Sequence, residues 1–318
     1  MPVATPVRLR GAYAPVLTPF NPDLSVDTAR FIEHCRWLTR QGAGLAIFGT
    51  NSEAASVSLD ERIALTEAVV EAGIDPATLM PGTGLCAIPE TVRLTAHAVS
   101  LGAPGVLVLP PYYFKSPGED GLFAYYSEII ERVGDARLAL YLYHIPQMSQ
   151  VPITASLVER LLKRYPDTIA GLKDSSGDWD NTRTMIERFA SHPQGFSVFP
   201  ASESALSHAL PIGGAGCISA TNNVNPASVR ALIDRLEADE ATRAAPETAA
   251  LQAGVDTVRA IFQRLPMIPA MKAALANARD LQSWRVVRPP LQAFDDHAAH
   301  DLDTQLKGVG FTVAPLAL

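Results

Sequence analysis

A repeated unit constrains the fold most: a short apolar, β-prone run followed by a longer helix-like segment. Successive runs close near residues 50, 84, 111, 146, 174, 201 and 220, at steps of 34, 27, 35, 28, 27 and 19 residues. A strand, a crossover helix and the next parallel strand together need about 30 residues. The spacing therefore predicts consecutive strand–helix units in a parallel sheet.

Eight runs carry this pattern. They span residues 11–20, 44–50, 79–84, 105–111, 137–146, 168–174, 196–201 and 214–220. Continuous apolar runs, rather than alternating ones, are typical of parallel strands buried on both faces. The simplest closure of eight such units is an α/β fold of the (β/α)8 type, a TIM barrel, which we predict here. A doubly wound open sheet is the alternative, but the first strand lacks the GxGxxG pattern of a dinucleotide-binding fold.

Helix-like segments separate the runs, and the clearest of them begins at Ser58. Glu61 lies three positions later, which completes a predicted capping box, and Gly73 ends the segment. This segment joins two predicted strands, as the repeated unit requires.

The last third of the chain carries helix signals without strand signals. Residues 225–265, 268–279 and 297–309 are predicted to be helical. We therefore expect a barrel over residues 1–225 and C-terminal helices over residues 226–318, packed on the barrel as a single structural unit. The sequence shows no linker or low-complexity tract between the two parts.

Charge and cysteine content argue against several classes of function. The net charge is -7 and no Lys/Arg block occurs, so neither a nucleic-acid partner nor an anionic membrane partner is expected. Cys35, Cys86 and Cys217 are far apart, and no CxxC motif or Cys/His cluster indicates a metal site or a disulfide scaffold. No apolar run approaches the roughly 18 residues of a membrane span, and we expect no signal peptide. These features predict a cytoplasmic protein.

Two polar residues that end strands point to covalent chemistry. Barrel enzymes carry their active sites at the carboxyl ends of the strands. Lys173 ends the run in "TIAGLKDSSGD", and Tyr143 lies one βαβ step earlier. The two are therefore predicted on neighbouring strands at similar height, where an amine could attack a ketone while a phenol relays protons. Each residue alone has a structural interpretation: a strand-end lysine can extend its ammonium into water, and a tyrosine can pack at the core edge.

A second candidate is the turn "GTNSE", residues 49–53, between a predicted strand and a predicted helix. Consecutive backbone N–H groups in such a turn can hold a carboxylate, although a simple βα turn with a helix cap is the structural alternative. We interpret His144 as structural, because no second His, Asp or Glu stands at metal-ligand spacing, and we predict no metal site. Glu53 and Asp174 are interpreted as capping or ion-pairing groups.

Motifs along most of the chain together resemble the dihydrodipicolinate synthase/N-acetylneuraminate lyase family of class I, Schiff-base-forming aldolases. These motifs are, in order, "APVLTPF", "GTNSEAASVSLDER", "PPYYFKSPGEDGLFAYY", "YLYHIP", "GLKDSSGD", "GGAGCIS" and "RPPL". The resemblance implies a (β/α)8 barrel with a C-terminal helical extension, assembled as a homotetramer, a dimer of dimers. It also implies 2-keto acid substrates such as pyruvate, and neither a metal nor an organic cofactor.

The resemblance assigns roles residue by residue. Lys173 matches the Schiff-base lysine and Tyr143 the proton-relay tyrosine. Tyr113 matches the tyrosine that reaches across a dimer interface into the neighbouring site. Ile218 matches the apolar residue whose backbone lies close to the active-site tyrosine and the substrate.

The turn resembles the family's GTTGE-type carboxylate loop, with two departures. Gly49 and Thr50 match the loop's first two residues, and the loop implies carboxylate binding by Thr50 and Asn51. Asn51 stands where a second Thr or Ser is usual, and Ser52 stands where Gly is usual. Backbone binding of an anion survives both changes, but an amide does not pass a proton as a hydroxyl does.

The substrate-selecting segment departs further. Dihydrodipicolinate synthases carry a segment similar to YNVPxRTG, in which the arginine holds the distal carboxylate of the aldehyde substrate. This chain has Met148 at that position, in "YHIPQMSQ". A methionine cannot form a bidentate pair with a carboxylate, so activity as a 4-hydroxy-tetrahydrodipicolinate synthase is disfavoured. We expect carbon–carbon bond cleavage or formation between pyruvate and an aldehyde, on substrates of the 2-keto-3-deoxy sugar acid, hydroxy-oxoglutarate or neuraminate type. Met148 and Phe114 predict an acceptor pocket that is partly apolar.

Three alternatives stay open at the level of sequence. A 2-keto-3-deoxy acid dehydratase would use the same imine, because its early steps are identical. A degenerate ligand-binding barrel would keep the fold without turnover, since Asn51 and Ser52 alter the relay. A metal-dependent aldolase would lose activity in EDTA.

Overall fold

The structure is a computed structural model that describes residues 8–316. Within these residues the strands are β1 (Gly11–Ala14), β2 (Gly44–Leu45), β3 (Val106–Val108), β4 (Leu140–His144), β5 (Ile169–Asp174), β6 (Ser197–Pro200) and β7 (Gly216–Ile218). The α-helices are α1 (Thr28–Arg40), α2 (Leu59–Glu71), α3 (Ile88–Ser100), α4 (Glu119–Val133), α5 (Pro146–Ser149), α6 (Ala155–Arg164), α7 (Trp179–Phe189), α8 (Leu206–Ala209), α9 (Pro226–Glu237), α10 (Glu240–Ala244), α11 (Pro246–Gln263), α12 (Met267–Arg279) and α13 (Asp296–Gly308). No helix in this part of the chain is both long and apolar enough to cross a membrane.

The chain divides into two compact units, each built from two separate stretches. The first unit comprises residues 75–218 with the described residues up to Gly11, and the second comprises residues 12–74 with those from 219 onward. The division predicted at residue 225, between a barrel and C-terminal helices, stays a prediction.

The first unit contains a four-stranded parallel sheet in the order β3-β4-β5-β6. Strand order follows chain order, and α4, α6 and α7 lie between successive strands along the chain. Every residue of these four strands is buried. The predicted alternation of apolar strands and helices is therefore confirmed in this unit.

Tyr141 fills the interior of this sheet, and Gly171 makes the space for it. A Cβ at Gly171 would lie 2.7 Å from the Tyr141 ring and 2.2 Å from the Ser197 carbonyl oxygen. The Tyr141 hydroxyl accepts a hydrogen bond of 2.8 Å from the backbone N–H of Leu9. Burial raises the pKa of Tyr141 to about 12. This phenol therefore stays protonated and serves the packing of the sheet.

The strand predicted over residues 79–84 is reduced to a single parallel bridge between Gly82 and Leu107. The Leu107 N–H donates to the Pro81 carbonyl at 2.9 Å, and the Thr83 N–H donates to the Leu107 carbonyl at 3.0 Å. Because Pro81 has no N–H to donate, the ladder cannot extend on the N-terminal side of Gly82. The prediction was right about the position and too long in extent.

The second unit contains β2 and most of β1, which pair in parallel with Tyr13 opposite Gly44. The strand predicted over residues 11–20 ends at Ala14, because Pro15 follows and cannot donate to the ladder. Its neighbour α2 has the predicted start. The Ser58 hydroxyl accepts from the Glu61 N–H, and the Glu61 carboxylate accepts from the Ser58 N–H, so the capping box is confirmed.

The helix predicted over residues 225–265 is three helices, α9, α10 and α11. Ala245 is extended, with ψ of 143°, and Pro246 is the first residue of α11. A residue that precedes proline is disfavoured in the helical region because the proline ring clashes with it. The chain therefore turns at Ala245 before a new helix begins, which hydrophobic periodicity alone does not reveal.

An ion pair between Glu53 and Lys272 lies at the centre of the second unit, with both side chains fully buried. The Lys272 ammonium also donates to the Val286 carbonyl at 2.8 Å and lies 4.6 Å from the centre of the Phe20 ring. Burial lowers the pKa of Lys272 to about 8 and raises the pKa of Glu53. The pair links the turn after β2 to α12, which confirms the interpretation of Glu53 as an ion-pairing group.

We predict that Lys272→Met lowers the free energy of unfolding by about 3–5 kcal/mol, because it leaves a buried carboxylate without its partner. The double variant Glu53→Gln/Lys272→Met should recover part of that loss. Urea denaturation measures both variants. The control is Lys307→Met, which breaks the exposed pair with Asp303 and should cost at most about 1 kcal/mol. A double variant less stable than Lys272→Met alone would contradict the coupling.

Candidate active site

Lys173 and Tyr143 lie side by side in the first unit. They are register partners on β5 and β4, and each side chain is only 2% exposed. The Lys173 Nζ donates a hydrogen bond of 3.1 Å to the Tyr143 hydroxyl and lies 4.2 Å from the centre of its ring. The two side chains therefore meet as the strand spacing predicted, whereas their catalytic roles stay predictions.

The surroundings of Lys173 are apolar. Leu172 precedes it in the buried strand, and Phe199 is its register partner on β6. Among residues 8–316, no carboxylate forms an ion pair with Lys173. The Tyr143 hydroxyl, rather than a carboxylate, is thus the partner that the structure shows for the Lys173 Nζ.

An irregularity in the sheet produces this contact. Leu140 pairs with Ile169, but Tyr141 pairs with Gly171, so the register shifts by one residue between the two pairs. Side chains alternate between the two faces of a strand, and an inserted residue changes which face the following residues occupy. The shift therefore brings Lys173 opposite Tyr143.

The next register pair, His144 and Asp174, takes the opposite faces of the same strands. The Asp174 carboxylate accepts hydrogen bonds from the Asn181 amide at 2.9 Å and from the Thr182 hydroxyl at 2.7 Å. His144 Nδ1 accepts a hydrogen bond of 3.0 Å from the Ile153 N–H. Both groups thus have structural partners, as the sequence interpretation expected.

Met148 lies in α5, the single helical turn that follows β4, and is 63% exposed. Its neighbour Gln147 donates a side-chain hydrogen bond of 2.5 Å to the Ser175 carbonyl, two residues after Lys173. The Ser175 hydroxyl is buried and has no hydrogen-bond partner in the part of the chain that the structure describes. Sequence reasoning missed Ser175 and Gln147. The segments "KDSSGD" and "IPQMS" contain these two residues, but a sequence does not show the directions of the Ser175 hydroxyl and the Gln147 amide.

Tyr113 is 76% exposed, and its ring stands edge-on to Phe114 with 5.7 Å between the ring centres. The neighbouring Lys115 donates to the Tyr112 carbonyl at 2.6 Å and to the Ser149 carbonyl at 3.2 Å. The segment that carries Tyr113 is thereby attached to the end of α5. Two adjacent aromatic rings at the surface form an apolar feature of the kind that marks interaction sites.

Ile218 is the last residue of β7 and is buried. Gly49, Thr50 and Asn51 belong to the second unit, where Thr50 and Asn51 begin a 3-10 turn that ends at Ser52. The structure thus has the predicted turn directly after the second run, and its role in carboxylate binding stays a prediction.

The turn is conformationally strained and held in place. Phe48 and Glu53 lie on either side of the 3-10 turn and have φ values of 60° and 56°. These values fall in the left-handed region that residues other than glycine rarely adopt. The Thr18 hydroxyl donates to the Ser52 carbonyl at 2.7 Å, and Lys272 forms an ion pair with Glu53. Strain of this kind persists only where the surroundings enforce it, and it is concentrated at functional sites.

Known proteins with similar sequences belong to the family that the motifs resemble. A sequence profile of the Dihydrodipicolinate synthetase family matches residues 8–309. An uncharacterized DapA-like lyase of Chloroflexus aurantiacus is 35% identical over 293 residues, which are 91% of this chain and 94% of the relative. A 4-hydroxy-tetrahydrodipicolinate synthase of Rhizobium meliloti is 32% identical over 95% of this chain and 98% of its own length.

Solved structures agree with the sequence relatives. Dihydrodipicolinate synthase from Agrobacterium tumefaciens superposes with a TM-score of 0.83 at 28% identity, over 94% of this chain and 99% of its own. YagE, a prophage protein from E. coli K12 in complex with pyruvate, has a TM-score of 0.85 at 26% identity, over 95% and 99%. The predicted fold class, a (β/α)8 barrel with C-terminal helices, is confirmed by these neighbours. The chain belongs to the dihydrodipicolinate synthetase family and is an enzyme of the class I, Schiff-base-forming lyases.

Proposed function

We propose that this enzyme cleaves or forms the carbon–carbon bond between pyruvate and an aldehyde through an imine on Lys173. One observation carries the proposal: a buried amine lies 3.1 Å from a buried phenol, without a carboxylate partner in the described residues. Such a pair has a nucleophile and a proton-transfer group within hydrogen-bond reach of each other. The pyruvate bound to YagE, a neighbour of the same fold, supports a 2-keto acid as substrate.

In the cleavage direction, the Lys173 amine attacks the C2 ketone, and the carbinolamine then loses its hydroxyl as water. Tyr143 donates the proton that this departing hydroxyl needs, which leaves an iminium ion. When the C4 hydroxyl passes its proton to the Tyr143 phenolate, the C3–C4 bond breaks and the aldehyde leaves. The bonding electrons pass to the iminium nitrogen and form an enamine. Protonation of C3 and addition of water then release pyruvate and the free amine.

Met148 and Ser175 bear on the choice of acceptor. Met148 cannot pair with a distal carboxylate, and the buried Ser175 hydroxyl, two residues after Lys173 in the chain, has no hydrogen-bond partner among residues 8–316. We therefore favour hydroxylated substrates of the 2-keto-3-deoxy sugar acid or neuraminate type over 4-hydroxy-tetrahydrodipicolinate synthesis. Hydroxy-oxoglutarate, which has a distal carboxylate of its own, is proposed on the family resemblance alone. A 2-keto-3-deoxy acid dehydratase is the second candidate, because elimination of water would start from the same imine.

The remaining predicted residues keep the roles that the family resemblance implies. We propose that Gly49, Thr50 and Asn51 bind the substrate carboxylate and that the backbone at Ile218 borders the keto acid. Tyr113 is proposed to contact a second copy of the chain in a homotetramer, and its exposed ring beside Phe114 supports an interface there.

Borohydride trapping tests the imine. With pyruvate and sodium borohydride, the wild type should gain the mass of one reduced pyruvate adduct, located on Lys173 by peptide mapping. Lys173→Ala should gain none, whereas Lys163→Ala, which removes an exposed lysine of α6, should react like the wild type. Trapping unaffected by EDTA would argue against a metal-dependent aldolase. A wild type without an adduct would favour a degenerate binding barrel.

Tyr143→Phe tests the proton relay. Loss of a positioned acid–base group lowers rates by about 10²–10⁴-fold, so trapping with pyruvate should slow by that order while the adduct still forms on Lys173. The time course of adduct mass at a fixed pyruvate concentration measures the effect. A variant that traps pyruvate at the wild-type rate would remove Tyr143 from the mechanism.

Met148→Arg tests the acceptor side. Arginine binds a carboxylate in bidentate fashion, so the variant should shift kcat/KM by about tenfold towards 4-hydroxy-2-oxoglutarate and away from a six-carbon 2-keto-3-deoxy sugar acid. Pyruvate release and loss of water are followed on both substrates and on N-acetylneuraminate, with Lys173→Ala as the blank. Dehydration without pyruvate release would identify the dehydratase. An unchanged preference would show that Met148 does not face the acceptor.

A further inference from the structure

The segment between β4 and α6, residues 145–153, is short, largely irregular and closed at its base by one side chain. His144 stands immediately before it, and His144 Nδ1 accepts the Ile153 N–H at 3.0 Å from the other end. We name residues 145–153 the acceptor loop, because they carry Met148. A single histidine thus joins the two ends of this loop.

The hydrogen bond defines the protonation state of the ring. A nitrogen that accepts from a backbone N–H carries no proton, so the neutral His144 ring has its proton on Nε2. A protonated ring would direct an N–H at the N–H of Ile153, and the bond that closes the loop would be lost. The loop geometry therefore requires neutral His144.

Hydrogen bonds within the acceptor loop shape its single helical turn. The Ser149 hydroxyl donates to the Ile145 carbonyl at 3.0 Å and accepts from the Val151 N–H at 3.1 Å. Gln150 has a φ of 55°, in the left-handed region. The loop thus consists of one helical turn and a strained residue, and the hydrogen bond between His144 and Ile153 joins its two ends.

The loop also meets the reactive strands. Gln147 donates to the Ser175 carbonyl, two residues after Lys173, and Tyr143 directly precedes His144. We propose that neutral His144 is a positioning residue that holds the acceptor loop, and with it Met148, in the place where the aldehyde part of the substrate binds. This inference rests on the proposed aldolase function and adds a determinant of acceptor binding to it.

The charges around the ring set the direction of its pH dependence. Burial lowers the pKa of His144, while Asp174 on the neighbouring strand raises it by a smaller amount. A second cation that contacts the loop, Lys115 from the segment after β3, donates to the Ser149 carbonyl. Because the His144 pKa lies below the ordinary value of about 6.5, the closing bond is intact at neutral pH and is lost as the pH falls through the lowered pKa.

Two variants separate positioning from simple packing. In His144→Asn, the amide oxygen can accept the Ile153 N–H but does not titrate, whereas His144→Leu keeps an apolar volume and loses the acceptor. With glyceraldehyde as the varied substrate and pyruvate saturating, His144→Leu should raise the glyceraldehyde KM roughly tenfold, the order expected for one buried hydrogen bond. His144→Asn should stay near the wild type and lose the acid-side rise in KM.

Two further readouts distinguish a failure of this inference from a failure of the proposed function. Hydrogen–deuterium exchange over residues 145–153 should be slow in the wild type and in His144→Asn, and faster in His144→Leu. Borohydride trapping with pyruvate alone should be the same in all three proteins. Equal exchange and equal glyceraldehyde KM in His144→Leu and wild type would overturn the proposal. So would a His144→Leu variant that loses pyruvate trapping as strongly as glyceraldehyde use, because His144 would then act on Lys173. Absence of trapping in the wild type would reject the aldolase, while exchange would still report whether His144 holds the loop.

Discussion

The register between β4 and β5 is the constraint on which the contact between Lys173 and Tyr143 depends. Because the pairing shifts by one residue after Leu140, Tyr143 faces Lys173 rather than Leu172. Gly171 lies at this shift, and its missing side chain leaves room for the Tyr141 ring and the Ser197 carbonyl. A side chain at that position would have to displace the backbone of β6. Packing around Tyr141 and Gly171, which lie two residues before Tyr143 and Lys173 on the same strands, therefore fixes the positions of the phenol and the amine.

Sequence reasoning reached the contact between Lys173 and Tyr143 because their separation is one strand–helix step, and parallel strands bring equivalent positions together. It could not reach the register shift, since no residue pattern distinguishes an inserted strand residue from a regular one. The sequence also predicted too long a strand over residues 79–84. Only Gly82 pairs there, and Pro81 lacks the N–H that the preceding pair would need.

Contacts between residues that are far apart in the chain could not be predicted from the sequence for a different reason. The letters "GTNSE" identified a turn and suggested an ion-pairing role for Glu53, but they do not contain its partner. Lys272 belongs to α12 in the last third of the chain. Only folding brings the ammonium to the carboxylate, and burial then moves the two pKa values towards each other. The same holds for Ser175, whose buried hydroxyl has no hydrogen-bond partner among residues 8–316, a property that only the packed chain shows.

Alternation along β4 gives adjacent residues separate tasks. Tyr143 takes the face of the strand that Lys173 shares, and His144, one residue later, takes the opposite face together with Asp174. A change on one face can therefore alter acceptor geometry without altering the amine, and a change on the other can do the reverse. Because both faces belong to one short strand, the distance between Lys173 and the acceptor loop is set by rigid backbone.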